Sequence, residues 1–292
     1  MGVLGSLAAT SDKRQATNSH PRVVYRIGGW SFLEPMASWK QWIYRTAETV
    51  SAQYKDVIIT VHPGDEMLAK KLGIVPRERI VTVPNGLDVA AFVSRLKTRM
   101  DARRALGIPE RAFVIGTIAN AYPTKALLPY LNVLKRMCDE DRGVVAVIIG
   151  NGPEFEMLTR TRDTLGLTDR VLVTGYRSDA ASFLPAFDIF ALPSRKEGMP
   201  WTLLEAMAAG LPSVATDVGA CRWMLEDESR GNAGVIVPVG DAAALHDAFR
   251  QIKNDPERRA HLSSAARRIV TERFSWEETY RGNRDALSFP RS

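Results

Sequence analysis

Short runs of continuous apolar residues alternate with segments of helical period along this chain, and no other feature restricts its fold as strongly. From about residue 111 the runs are Phe113 to Ala119, Val144 to Ile149, Val171 to Thr174, Asp188 to Leu192, Ser213 to Thr216 and Val235 to Val237. They are dense in Val, Ile, Leu, Ala and Phe and do not alternate with polar residues, the pattern of strands covered on both faces. Between them ALLPYLNVLKRMCDED, EFEMLTRTRDTLG and WTLLEAMAAG read as helices. Strand, helix, strand repeated in this way predicts a doubly wound parallel α/β sheet, because the right-handed crossover leaves few other topologies. The first hundred residues repeat the pattern more thinly. Strands are expected at Val23 to Ile27, Val57 to Val61 and Ile80 to Val83, with helices at Met36 to Gln53 and Glu66 to Leu72. That sheet is short of the usual five or six strands. Between Asp88 and Arg111 the chain turns polar and Arg-rich, which suits an interdomain connection.

The 292 residues, 45% apolar and 25% charged, suit a soluble globular protein of two domains rather than a disordered or fibrous one. No apolar run approaches the roughly 18 to 20 residues of a membrane span. The start MGVLGSLAAT has no basic residue before its apolar piece, so export is not expected; its Gly-then-Ser pattern also fits myristoylation, but so short a pattern arises by chance. Cys138 and Cys221 have no CxxC spacing, so neither a disulfide framework nor a zinc site is expected, and the cytoplasm is the expected compartment. The net charge of +6 favours anionic partners. Its cations are scattered over helices rather than blocked, which points to phosphorylated small molecules or anionic lipid and away from nucleic acid.

The stretch LPSRKEGMPWTLLEAMAAGLP, residues 192 to 212, carries the most chemistry. A strand ends near Leu192, a loop holds Glu197, Gly198, Met199 and Pro200, and a helix begins near Trp201. Proline near the first helical position is favoured there. The free amides of the first turn, around Met199 to Thr202, with the positive end of the helix dipole behind them, suit a phosphate. Glu205 follows Glu197 by eight residues and shares a helix face with Trp201 and Thr202. Taken alone, the two glutamates also read as a solvated loop acid and a helix-surface charge.

Set in this segment, the pair resembles the E-x7-E signature of the retaining glycosyltransferases of family 4, with GT-B architecture, and the resemblance covers roughly residues 20 to 285. VPNGLD (83 to 88), IIGNGPE (148 to 154) and VTGYRSD (173 to 179) match further family segments in the same order. The resemblance implies two Rossmann-like parallel-sheet domains: a partial acceptor-side domain over residues 1 to 95, a donor domain over 96 to 274 and a helix over 275 to 292 crossing back. It implies a UDP- or GDP-sugar donor in the cleft between them, transfer with retention to a glycan or lipid-linked acceptor, and no cofactor or metal. Glu197 would contact hydroxyls of the transferred sugar, Glu205 the ribose, and Lys125 the diphosphate leaving group. Asn120, Gly150, Asn151, Gly152, Tyr176, Gly198, Met199, Pro200, Trp201, Thr202 and Leu203 complete the expected donor site.

Three departures stand out. Asn120 occupies the place of the family's arginine, so Arg195 or Lys196 would have to supply its charge. Gly28 replaces a histidine expected near the reacting sugar, His62 in TVHPGD is the other candidate on this side although it reads more readily as a turn histidine, and Trp223 replaces an acid. The acidic run Asp139-Glu140-Asp141 ends a helix and reads as surface charge. Counted against the family, the resemblance implies that the opening strands of the acceptor half would be absent. An active transferase is therefore weighed against a nucleotide-sugar-binding paralogue without turnover and against an interaction protein without ligand. The helix around WKQWIYR has two destinations: packing of Trp39, Trp42 and Ile43 on the small sheet, which is the simpler, or docking on an anionic membrane.

Overall fold

The computed structural model describes residues 21–288, and all counts here refer to those residues. The terminal patterns weighed for export and acylation lie outside them. The described residues form two compact units, 21–86 with 276–288, and Leu87–Ser275.

In the first unit β1 (Val24–Arg26), α1 (Ser38–Ala52), β2 (Val57–Thr60), α2 (Pro63–Lys71) and β3 (Arg79–Thr82) build a three-stranded parallel sheet of order β1-β2-β3. Alternate side chains of β2 face opposite ways. Ile58 packs with Ile27, Trp30, Ala52 and Ile74 on one face, while Val57 and Ile59 meet Val83 and Ala286 on the other. His62 caps α2, its Nδ1 accepting from the Gly64 amide at 3.0 Å while Nε2 faces Asp65 at 3.4 Å. It is thus a turn histidine, and burial lowers its pKa. Helix α1 departs from expectation. Trp39, Trp42, Ile43 and Tyr44 are exposed instead of packing on the sheet, and the buried residues are Glu48, Ser51 and Ala52. Glu48 is drawn inward by the buried Lys55, whose Nζ donates to it at 2.7 Å.

The second unit begins where a connection was expected. Residues 88–111 fold into α3 (Val89–Val93) and α4 (Arg99–Ala105), capped by Asp88 and Thr98, and belong to this unit rather than linking two. The reason is Arg103, 2% exposed, which donates to the carbonyls of Ala186 and Ala112 and pairs with Asp188 at 2.8 Å. There follow β4 (Phe113–Ile118), α5 (Leu127–Glu140), β5 (Val144–Ile149), α6 (Phe155–Thr164), β6 (Val171–Val173), β7 (Ile189–Leu192), α7 (Trp201–Ala208), β8 (Ser213–Thr216), α8 (Cys221–Leu225), β9 (Gly234–Val237), α9 (Ala242–Asn254) and α10 (Pro256–Arg273). The strands form one parallel sheet of order β6-β5-β4-β7-β8-β9. All six expected strands are present. The order reverses between β4 and β7, and a doubly wound sheet binds its ligand in the crevice beyond that switch point. Trp223 settles into local packing, edge-on to Phe274 at 5.2 Å. Finally α11 (Trp276–Ser288) returns to the first unit, where Thr279 donates to the Pro84 carbonyl.

Candidate active site at the switch point of the larger sheet

The loops after β4, β5 and β6 are laced by their backbones. Ala119 and Ala121 donate to the carbonyls of Ile149 and Asn151, and Gly150 donates to Gly175. A Cβ on Gly150 would stand 2.1 Å from the Ala119 oxygen, so only glycine permits the approach. Gly150, Asn151 and Gly152 therefore shape the floor of the crevice. Asn120 is exposed at its rim, and so is Tyr176, 73% exposed beyond β6. Its neighbour Arg177 lies instead over the Phe183 ring at 4.2 Å.

Past Asn120 a single 3₁₀ turn, Pro123–Lys125, ends on Ala126 at φ 52°, the one non-glycine residue with positive φ among those described. Such a conformation costs roughly 1 kcal/mol or more and persists only where the surroundings impose it. Here the Arg195 amide donates to the Thr124 carbonyl at 2.7 Å, tying the β4 loop to the β7 loop. Lys125 then reaches across the switch point to Glu197, Nζ to Oε1 2.7 Å. The buried Ser194 donates to the same oxygen at 2.6 Å, and Thr216 holds the Ser194 carbonyl from below. The Glu197 side chain is only 7% exposed, so its carboxylate is fixed by one cation and one hydroxyl in a largely dry place. Beneath it Gly219 passes so close that a Cβ would lie 2.4 Å from the Glu197 and Gly198 oxygens.

Helix α7 starts at Trp201 with Pro200 as an N-cap that offers no side-chain acceptor. The amides of Trp201, Thr202 and Leu203 have no hydrogen-bond partner among the described residues, as is usual for the first donors of a helix. These three replace the expected run from Met199 to Thr202, because Pro200 has no N–H. The side chains of Met199, Pro200 and Leu203 are buried and act by shaping this turn. Glu205 is half-buried on α7, its carboxyl has no hydrogen-bond partner among the described residues, and burial pushes it up to about 7.

The structure thus brings Lys125 and Glu197 into contact, sets the vacant amides on the helix that follows their loop, and places Glu205 on that same helix. Arg195 is exposed and lines a cavity of about 130 Å³ with Ala126, Tyr130, Thr216, Gly240 and Asp241. Ser194, Thr216 and Gly219 went unforeseen. A serine at a strand end usually satisfies backbone, and nothing local shows that this one reaches a buried carboxylate. The acidic run is structural, with Asp139, Glu140 and Asp141 paired to Lys135, Arg136 and Lys253. Among the described residues no three His, Cys, Asp or Glu side chains cluster as metal ligands. No described helix is long and apolar enough to cross a membrane.

Known proteins resemble this chain in sequence and in fold. The model of the family described as glycosyl transferases group 1 matches residues 98–269, most of the larger unit. The chain is 27% identical over 257 residues to the UDP-Gal:alpha-D-GlcNAc-diphosphoundecaprenol alpha-1,3-galactosyltransferase of Escherichia coli, covering 87% of this chain and 64% of that protein. It is 30% identical over 243 residues to the D-inositol 3-phosphate glycosyltransferase of Saccharomonospora viridis, covering 80% of this chain and 55% of that one. The chain therefore spans between about half and two thirds of the length of these curated relatives. Among solved structures, Anabaena HepE in complex with UDP-glucose superposes with a TM-score of 0.83 at 22% identity, over 98% of this chain and 76% of its own. Sucrose-phosphate synthase from Thermosynechococcus elongatus gives 0.80 at 19%, over 97% of this chain and 70% of its own. The two parallel-sheet units are of GT-B type. With a switch-point site on the larger sheet and a family model that covers more than half of the sequence, the chain belongs to the glycosyl transferases of group 1.

Proposed function

We propose that this chain is a retaining glycosyltransferase of family 4 that transfers a hexosyl or N-acetylhexosaminyl group from a UDP- or GDP-sugar to a glycan or lipid-linked acceptor. The observation that carries the reading is the Lys125–Glu197 pair at the switch point, with a vacant helix start just beyond it. The diphosphate sits on the amides of Trp201, Thr202 and Leu203, where the helix dipole and free N–H groups stabilise an anion. Lys125 leaves Glu197 for the phosphate as the glycosidic bond breaks and stabilises the departing charge. Glu197, still oriented by Ser194, is then free to accept from hydroxyls of the transferred sugar. The ribose hydroxyls donate to Glu205, and Tyr176 offers an open ring beside the base. The acceptor hydroxyl attacks from the face the leaving group vacates, and its proton passes to the departing diphosphate oxygen. Positioning and charge neutralisation supply the catalysis, without metal or cofactor. Such a donor places the protein in the cytoplasm.

A second reading, nucleotide-sugar binding without turnover, is favoured by Asn120 in place of an arginine, by Gly28 in place of a histidine and by a first unit of three strands. Calorimetry with UDP and GDP, followed by mass-spectrometric detection of sugar released or transferred from a panel of donors, separates the two. Binding with turnover is expected. Binding that Glu205→Ala removes, without turnover of any donor, establishes the second reading. No binding of either nucleotide sinks both.

A further inference from the structure

Helix α1 is built inside out. Trp39, Trp42 and Ile43 fall at i, i+3 and i+4, the spacing that normally faces a core, yet they are 62%, 59% and 48% exposed, and Val50 on the same stripe is 53% exposed. Glu48, nine positions after Trp39 and so about two and a half turns on, points the opposite way and is buried against Lys55. Exposed Leu33, just before the helix, and a groove between Trp42 and Leu68 and Leu72 of α2 extend the apolar surface. A contiguous aromatic and aliphatic patch of this kind marks a contact surface.

The charges beside it say what covers it. Lys40 and Arg45 are exposed, one and six positions after Trp39, and therefore flank the stripe on either side. An apolar protein face closing over the stripe would strip water from both cations without pairing them. An anionic bilayer surface pairs them with headgroups, while the indoles of Trp39 and Trp42 take the interfacial level that tryptophan favours. We propose that α1 lies in the surface of an anionic membrane, with Trp39, Trp42 and Ile43 at the acyl boundary and Lys40 and Arg45 among the phosphates. This docking is independent of the transfer chemistry.

The test is sedimentation of the 292-residue chain with phosphatidylcholine vesicles, with and without phosphatidylglycerol, at low and at physiological salt. Wild type is expected to sediment with the anionic vesicles and to release as salt rises. Trp39→Ser with Trp42→Ser should lower binding about tenfold or more. Lys40→Glu with Arg45→Glu should lower it about fivefold per cation and abolish the preference for phosphatidylglycerol. All four positions are exposed, so both variants should keep the wild-type circular dichroism and thermal midpoint, and a loss of binding then reports the surface alone. The proposal is overturned if wild type stays in the supernatant, if the Trp variant binds as well as wild type, or if neutral vesicles bind equally. It is also overturned if light scattering shows a dimer that the Trp variant dissociates, which would make the stripe an interface between two copies of the chain.

Discussion

Two helices of nearly equal length show how differently the two units are built. In the larger unit α5 turns Leu127, Tyr130, Leu131, Val133, Leu134, Met137 and Cys138 inward, onto β4 and β5. In the smaller unit α1, one residue longer, buries only Glu48, Ser51 and Ala52 and presents its tryptophans to solvent. The amphipathic pattern is similar in strength, but the orientation is not. A six-stranded sheet offers a broad apolar face that captures the apolar stripe of any helix laid on it. Against three strands the fully buried Lys55 governs instead: its charge must be paired when desolvated, and the partner is Glu48, on the polar side of α1. A single buried cation has thereby set the rotation of a helix.

The sharpest way to break this contrast is to remove apolar anchors from the smaller unit. Trp30 is fully buried and its indole donates to the Asp65 carbonyl. Trp30→Ala should destabilise that unit by about 3–5 kcal/mol and separate its unfolding from that of Leu87–Ser275 in a denaturant titration followed by far-UV circular dichroism. A single unchanged transition would show that the units unfold as one. The exposed Trp39, replaced by serine, should change stability by no more than about 0.5 kcal/mol in the same titration.

The larger unit should respond in activity rather than stability. Lys125→Ala leaves Glu197 without its cation and the diphosphate without its lysine, and kcat for donor turnover should fall by about 10²–10³. Ser194→Ala keeps the cation but frees the carboxylate to rotate. A drop of about 10- to 150-fold in kcat with little change in donor KM is expected, as for one lost hydrogen bond to a charged group. A drop confined to KM would place Ser194 in donor affinity instead.

Glu205 gives a pH-dependent comparison. Its folded pKa, pushed up to about 7, lies above its ordinary 4.5. Between those values the unfolded chain has lost the proton that the folded one keeps, so stability falls as pH rises through this window and stays lower above it. Glu205→Gln should remove that loss and raise the melting midpoint above pH 7 by roughly 2–4 °C for each kcal/mol recovered, with no gain near pH 4. The same substitution should weaken UDP binding. In the wild type, UDP affinity should decline as pH drops below 7, by at most about tenfold per unit, because hydroxyl donors favour the ionised carboxylate. The smallest effect is expected at Gly28, where an added Cβ meets open space. Gly28→His should fold as well as wild type by thermal midpoint.

Strand positions in both units were legible because a strand buried on both faces is written as a continuous apolar run, and β5 and β8 fall where the runs place them. Helix α7 starts at Trp201 as expected because Pro200 fixes its boundary locally. The segment 88–111 misled because arginines read as solvent-facing. Arg103 is satisfied by carbonyls of residues far off in sequence, such as Ala186, which no local pattern reveals. The same reason hid Ser194 and Gly219, whose meaning lies in what stands opposite them.

By itself, then, the sequence determined the strand-helix alternation and the parallel class of both sheets, since periodicity and turn chemistry are local, while Lys125, Glu197 and Glu205 were singled out as expected site residues only through the family resemblance. Only the tertiary structure decided that Lys125 and Glu197, 72 positions apart, share one hydrogen bond, that Glu205 stands without a partner, and that α1 faces its tryptophans outward. Those outcomes depend on which groups lose water together, and desolvation is a property of the assembled fold, not of any stretch of chain.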